Sequence, residues 1–114
     1  MRILEQKMIR LLRSHCPGRC GRNTHVVVGT DDDGNTALGV ILYGSLIAEY
    51  TPKRNSLRLT DAGYHTRTTL SRLRAIASEF APHVIARKLT QEWKEVLDPT
   101  PTMRELLLFP DNMP

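Results

Sequence analysis

Six residues within nine positions, Thr66, Arg67, Thr68, Thr69, Arg72 and Arg74, form the densest cluster of polar chemistry in the chain. The stretch around them, Leu57 to Phe80, reads as a strand ending at Thr60, a turn through Asp61 to Gly63, an extended piece from Tyr64 to Thr66, and an amphipathic helix over Thr69 to Phe80. Leu70, Leu73, Ile76, Ala77 and Phe80 recur at helical spacing in that last part. A helix N-terminus offers unpaired backbone N–H groups and a partial positive charge, so threonine hydroxyls and guanidinium groups placed there suit a phosphate or a carboxylate. The same residues have a structural reading, with Thr68 or Thr69 as the N-cap and Thr66 in an extended segment. Capping does not explain the arginines.

A second basic group, Arg10, Arg13, Arg19 and Arg22, lies at the end of the first helix and in the loop after it. It is either a solvated helix face with favourable charges near a helix C-terminus, or a contact for a phosphate or an acidic partner.

Other chemistries fail on spacing. Asp31, Asp33 and Asn35 alternate like a calcium loop, but a loop starting at Asp31 would need glycine and glutamate where Thr36 and Leu42 stand. His15, Cys16, Cys20 and His25 put four potential zinc ligands within eleven residues, yet one short loop would have to supply all of them. Either thiol could have its pKa lowered by Arg19 or Arg22, but no Cys-His enzyme signature accompanies them. There is no phosphate loop, no dinucleotide fingerprint and no carboxylate pair with an acid and base assignment. Asp61 reads as a turn former. Tyr43, Tyr50, Tyr64 and Trp93 are too scattered along the chain to mark a base-stacking platform. Neither a metal nor a cofactor is expected.

The elements that must position these groups begin with a helix from Arg2 to Ser14, whose Ile3, Leu4, Met8, Leu11 and Leu12 share one face before Pro17, Gly18 and Gly21 stop it. Thr24 to Gly29 and Ala37 to Tyr43 are strands joined at Asp33-Gly34, a hairpin signal. Turns at Tyr43-Gly44-Ser45 and Thr51 to Ser56 bracket a strand over Leu46 to Tyr50, and Leu57 to Thr60 follows. Four short strands in succession predict an antiparallel meander with the Thr69 to Phe80 helix across one face. After Pro82, His83 to Leu89 and Glu92 to Leu97 read as a closing hairpin turning at Thr90-Gln91. Propensity also permits a helix at Glu92 to Leu97. Asp98-Pro-Thr-Pro101 ends the compact part, and a capping-box pattern at Thr102 to Glu105 leads into the apolar run Leu106 to Phe109. That run either docks on the domain or binds a partner.

With 114 residues, 40% hydrophobic and 25% charged, the chain has ordinary globular composition and the length of one domain. The expected organisation is a single domain over residues 1–97 and a Pro-rich tail over 98–114. The formal net charge of +4 favours an acidic partner, either nucleic acid or an acidic protein surface. No signal-peptide pattern or membrane-length apolar run is present, which points to the cytoplasm of the cell where the protein is made.

Asn23-Thr24-x-Val26, Tyr43-Gly-Ser-Leu-Ile-Ala48, and Leu59-x5-His65 leading into Thr66-x-Thr68-Thr69-x-Ser71-Arg72-Leu73 resemble a widespread family of small, functionally uncharacterised bacteriophage proteins. The resemblance covers roughly residues 1–97, and Thr-x-Thr-Thr-x-Ser-Arg-Leu is its specific part. Departures occur at Ser45, where asparagine is common, at Tyr64-His65, where glycine-tryptophan is, and at Arg74, where asparagine is. The resemblance implies a phage or prophage origin and a small α+β fold, with the activity left open.

These observations together predict one α+β domain with an N-terminal helix, an antiparallel meander of about four strands, a packed helix, a C-terminal hairpin and a short tail. The functional expectation is a non-enzymatic phage accessory protein that binds a host or phage macromolecule, a protein first, and modulates a host nucleic-acid-processing or defence complex. The alternative is direct binding of nucleic acid, the same arginines contacting phosphates. The candidate binding residues are Arg67, Thr68, Thr69, Arg72 and Arg74, with Arg10, Arg13, Arg19 and Arg22 as a second patch.

Overall fold

A computed structural model describes residues 2–97. The chain runs α1 (Ile3–Ser14), β1 (Gly18–Arg19), β2 (Thr24–Thr30), β3 (Thr36–Leu42), β4 (Ser45–Thr51), β5 (Ser56–Leu59), α2 (Arg67–Phe80) and β6 (Lys94–Glu95), with 3-10 turns at Pro52–Arg54 and Ala86–Lys88. All strand pairs are antiparallel and the sheet order follows the sequence from β1 to β6. The predicted meander is present, extended by two short edge strands: β1, whose two residues carry no alternation to read, and β6, which lies within the strand expected over Glu92 to Leu97.

One face of the sheet is covered by both helices. Val26, Val40, Ala48 and Leu59 lie directly opposite one another in a single row across β2 to β5, and all four are buried. Met8, Ile9 and Leu12 of α1 and Leu73, Ala75 and Ile76 of α2 close over this face. Burying each large aliphatic side chain here contributes about 1.5–3 kcal/mol. The opposite face carries the row Glu49, Arg58 and Glu95, in which Arg58 Nη1 is 3.1 Å from Glu49 Oε2. No helix among the described residues is long and apolar enough to cross a membrane.

The turns follow local chemistry. In the β2–β3 hairpin, Asp31 Oδ1 accepts from the backbone N–H of Asp33 (2.9 Å) and of Asn35 (2.8 Å), so the acidic tip is organised by its own first carboxylate. The Asn35 N–H contributes most to holding the Asp31 carboxyl below its ordinary value, with burial opposing. The β3–β4 turn places Tyr43 and Gly44 at φ 50° and 80°, the left-handed pair of a tight hairpin turn, with a non-glycine residue at its first position.

The closing segment departs from the predicted hairpin. His83 to Leu89 forms no strand, and its Ala86–Lys88 portion is a 3-10 turn that buries Ala86 and Leu89. Lys94–Glu95 pairs with β5 instead, with Arg58 opposite Glu95 and Leu59 opposite Lys94. The physical reason is Thr60: its hydroxyl lies 3.0 Å and 2.7 Å from the carbonyl oxygens of Thr90 and Gln91, and the Asp61 N–H donates to Thr90 O. The 90–91 segment is tied to the end of β5, and the chain leaves it along that strand. The run Leu106 to Phe109 lies outside the described residues.

Candidate functional site

α2 begins at Arg67, ahead of the Thr69 start that its hydrophobic periodicity suggests. Thr66 is the N-cap, its hydroxyl accepting from the Thr69 N–H at 3.2 Å and lying 3.0 Å from the Thr69 hydroxyl. The N-cap assigned to Thr68 or Thr69 therefore moves to Thr66. Thr68 lies in the first turn, and Thr69 is buried. The shift is a matter of which side chain can fold back on the N3 amide, which the pattern of apolar residues does not report.

Arg72 is the larger correction. It points inward, 2% exposed, and its Nη1 donates to Glu5 Oε2 at 2.7 Å. Ser71 Oγ donates to the same carboxylate oxygen at 2.6 Å, and the backbone N–H of Arg2 donates to the other at 3.3 Å. On the sheet side, Arg72 Nε donates to Thr24 Oγ1 at 3.1 Å, Thr24 Oγ1 donates to Asn23 Oδ1 at 2.7 Å, and Asn23 Nδ2 donates to the Tyr43 hydroxyl at 3.1 Å. One chain of polar contacts thus runs from α1 through α2 to the sheet and out to a surface tyrosine. Burial by itself would raise the Glu5 carboxyl, but the Ser71 and Arg72 hydrogen bonds outweigh it and hold the group below its ordinary value. The Asn-Thr and Ser-Arg pairs of the sequence pattern are the members of this network, so those four residues are accounted for by the fold. Sequence spacing hid the pairing because Glu5 and Arg72 are 67 positions apart.

The remaining arginines distribute unevenly. The two helices lie side by side and run in the same sense, Glu5 near the start of α1 meeting Ser71 and Arg72, and Arg13 near its end meeting Glu79. Arg13 is occupied: its Nε and Nη2 lie 3.0 Å and 2.8 Å from Glu79 Oε1, and its guanidinium sits 4.6 Å from the Phe80 ring centroid. Arg10, Arg67 and Arg74 are exposed on the helix layer with no ion pair among the described residues. Arg74 and Arg2 flank an open groove of about 640 Å3 between the helices, floored by Glu5, Ser71, Ala75 and Ser78. Arg2 was not singled out by sequence. Ser71, Arg74 and Ser78 form one stripe along the α2 wall of this groove, and helical spacing continues the stripe to Arg67 beyond it. Arg19 and Arg22 are exposed on β1 and in the following loop, apart from the helix groove.

The tyrosines that look scattered in sequence are brought together. Tyr43 from the β3–β4 turn and Tyr64 from the β5–α2 connection, 72% and 59% exposed, flank a cleft of about 260 Å3 at the N-terminal end of α2. Leu42 and Ile47 give it apolar wall, while Ser45, Thr66, Thr69 and Asp61 give it polar atoms. Asp61 is buried; its Oδ1 accepts from the Gly63 N–H at 2.8 Å and its Oδ2 lies 3.2 Å from His65 Nδ1. Asp61 is the turn former its position suggests and also the acidic wall of the cleft. No hydroxyl or thiol among the described residues hydrogen bonds His65.

Cys16 is exposed and Cys20 is buried. Burial pushes the Cys20 thiol above its ordinary value against the opposing charges of Lys7 and Arg72, which reverses the lowering expected from Arg19 and Arg22. The reason is that Cys20 faces the core. Among the described residues no group of three or more His, Cys, Asp or Glu side chains is placed to hold a metal ion.

No curated protein and no solved structure matches the chain. The family model described as Kyanoviridae Gp96 protein matches residues 1–106, nearly the whole sequence. The chain belongs to this phage family, in keeping with the resemblance to small bacteriophage proteins read from its sequence.

Proposed function

We propose that this phage protein is a non-enzymatic accessory protein that binds nucleic acid through its helix layer. The observation that carries the reading is the charge of that layer. α1 and α2 hold six basic side chains and two acidic ones, and both acids are already neutralised, Glu5 by Arg72 and Glu79 by Arg13. What faces solvent is positive, with Arg2 and Arg74 on either side of a groove that offers the Ser78 side chain as a further polar contact.

A protein partner uses the same charges but also needs an apolar anchor at the centre of its contact. Among the described residues of the two helices, Ile3 is the large exposed hydrophobic, and it lies at the very start of α1. A polyanion needs no such anchor, since phosphate contacts supply affinity by releasing counterions. This favours nucleic acid over the host or phage protein that sequence reasoning places first.

The test is fluorescence anisotropy of a labelled oligonucleotide across a salt series. The expected result is log-linear weakening with salt, with Arg67→Ala plus Arg74→Ala reducing the slope by about one to two. Absence of oligonucleotide binding at low salt, together with capture from host lysate of a discrete protein that survives nuclease treatment, would overturn the reading in favour of a protein partner.

A further inference from the structure

We propose that the cleft between Tyr43 and Tyr64 takes one unstacked nucleobase, so that the nucleic acid bound is single-stranded. The inference rests on the nucleic-acid reading above and adds the substrate class, because a base reaches a cavity only when it is not held in a duplex stack. The cleft, at about 260 Å3, is smaller than the roughly 300–1,000 Å3 typical of sites that enclose a whole small ligand. It suits a single planar ring whose sugar and phosphate remain outside.

Its walls match that ring. Leu42 and Ile47 provide apolar contact, and the exposed Tyr43 and Tyr64 line the same cleft. Asp61 offers a carboxylate that accepts hydrogen bonds from exocyclic amines or ring N–H groups, with lone pairs beyond those used by Gly63 and His65. Tyr43 is held in place while exposed: its hydroxyl accepts from Asn23 Nδ2, and its backbone N–H donates to Asn23 O at 2.9 Å. Through Asn23 it is the outer end of the buried network, which fixes a stacking ring without a cost in side-chain freedom at the moment of binding. Tyr43 and Ala62, at the two turns beside the cleft, both hold positive φ (50° and 56°), a local backbone strain of the kind that gathers at ligand sites.

Two basic residues adjoin the cleft along the chain. Arg67 follows the cleft residue Thr66, and Arg22 precedes Asn23, the partner of Tyr43. Both arginines are exposed and unpaired among the described residues. The first turn of α2 is capped by Thr66, so these guanidinium groups, rather than the helix terminus, are the phosphate partners.

The experiment compares three fluorescein-labelled probes by anisotropy: a mixed-sequence single-stranded 12-mer, an abasic strand of equal length, and the duplex form. Wild type is expected to bind the base-bearing strand most tightly. Tyr64→Ala should weaken that binding about tenfold while leaving the abasic strand unchanged. Tyr64→Phe, which keeps the ring, should retain it. Unchanged thermal melting of both variants establishes that the fold is intact. Equal binding of base-bearing and abasic strands, insensitive to Tyr64→Ala, would overturn the cleft assignment and leave the phosphate-binding groove standing. Tightest binding of the duplex would also overturn it. No binding of any probe would overturn both readings together.

Discussion

Arg72 Nη1 lies 2.7 Å from Glu5 Oε2, and the two side chains are 3% and 4% exposed. This buried ion pair joins α1 to α2, and the contacts of Arg72 with Thr24 and of Thr24 with Asn23 carry the connection into the sheet. Removing one partner strands the other charge in the interior.

Arg72→Ala is therefore expected to destabilise the protein by about 3–5 kcal/mol, lowering Tm by on the order of 10 °C or more. Arg74→Ala, two positions along the same helix but exposed, should stay within about 0.5 kcal/mol of wild type. The apolar double replacement Glu5→Leu with Arg72→Met should recover most of the loss, because no buried charge is then left unpaired. Thermal melts of the three variants decide it, and equal effects of Arg72→Ala and Arg74→Ala would contradict the placement of Arg72.

Acid titration reports the same pair. The folded-state pKa of Glu5 is below its ordinary 4.5. Its contribution is fully present above 4.5 and is lost as pH falls through the lower folded value, where the unfolded chain has already taken up its proton. Chemical denaturation from pH 6 downward should show stability declining on this limb, less steeply in Glu5→Gln, whose side chain does not titrate. A wild-type curve that is flat between pH 5 and 3 would count against the network.

Thr66→Ala removes the hydroxyl that accepts from the Thr69 N–H and should cost about 1 kcal/mol. Thr68→Ala, in the first turn and without the capping bond, should cost clearly less. Denaturant midpoints distinguish the two, and a larger loss at Thr68 would return the cap to the position that periodicity suggested.

The two thiols should react in sequence. Cys16 is exposed and titrates with a small disulfide reagent in the native protein, whereas Cys20, 1% exposed and with its pKa raised by burial, reacts only after unfolding. Two fast-reacting thiols under native conditions would show that the β1 loop opens.

Much of the architecture was legible in local sequence because it rests on short-range regularities. The spacing of Met8, Leu11 and Leu12, the Asp33-Gly34 turn, and the recurrence of Leu73, Ile76 and Ala77 each describe one element without reference to any other. The path of the closing segment is not legible in sequence because it is set by the Thr60 hydroxyl holding the 90–91 carbonyls, a contact across about thirty positions that no alternation encodes.

The candidate site divides along the same line. Sequence alone determined that the chain is basic, that arginines cluster around the start of α2, and that its patterns are those of a phage protein family. It could not sort those arginines, since whether a guanidinium faces water or a carboxylate depends on what the other helix places opposite it. Only the tertiary structure sent Arg72 inward to Glu5, occupied Arg13 with Glu79, and left Arg67 and Arg74 exposed on the surface. Only the sheet turns brought Tyr43 and Tyr64, 21 positions apart in the chain, to the same cleft. Composition and periodicity are sums over neighbours in sequence, whereas burial, pairing and convergence are properties of neighbours in space.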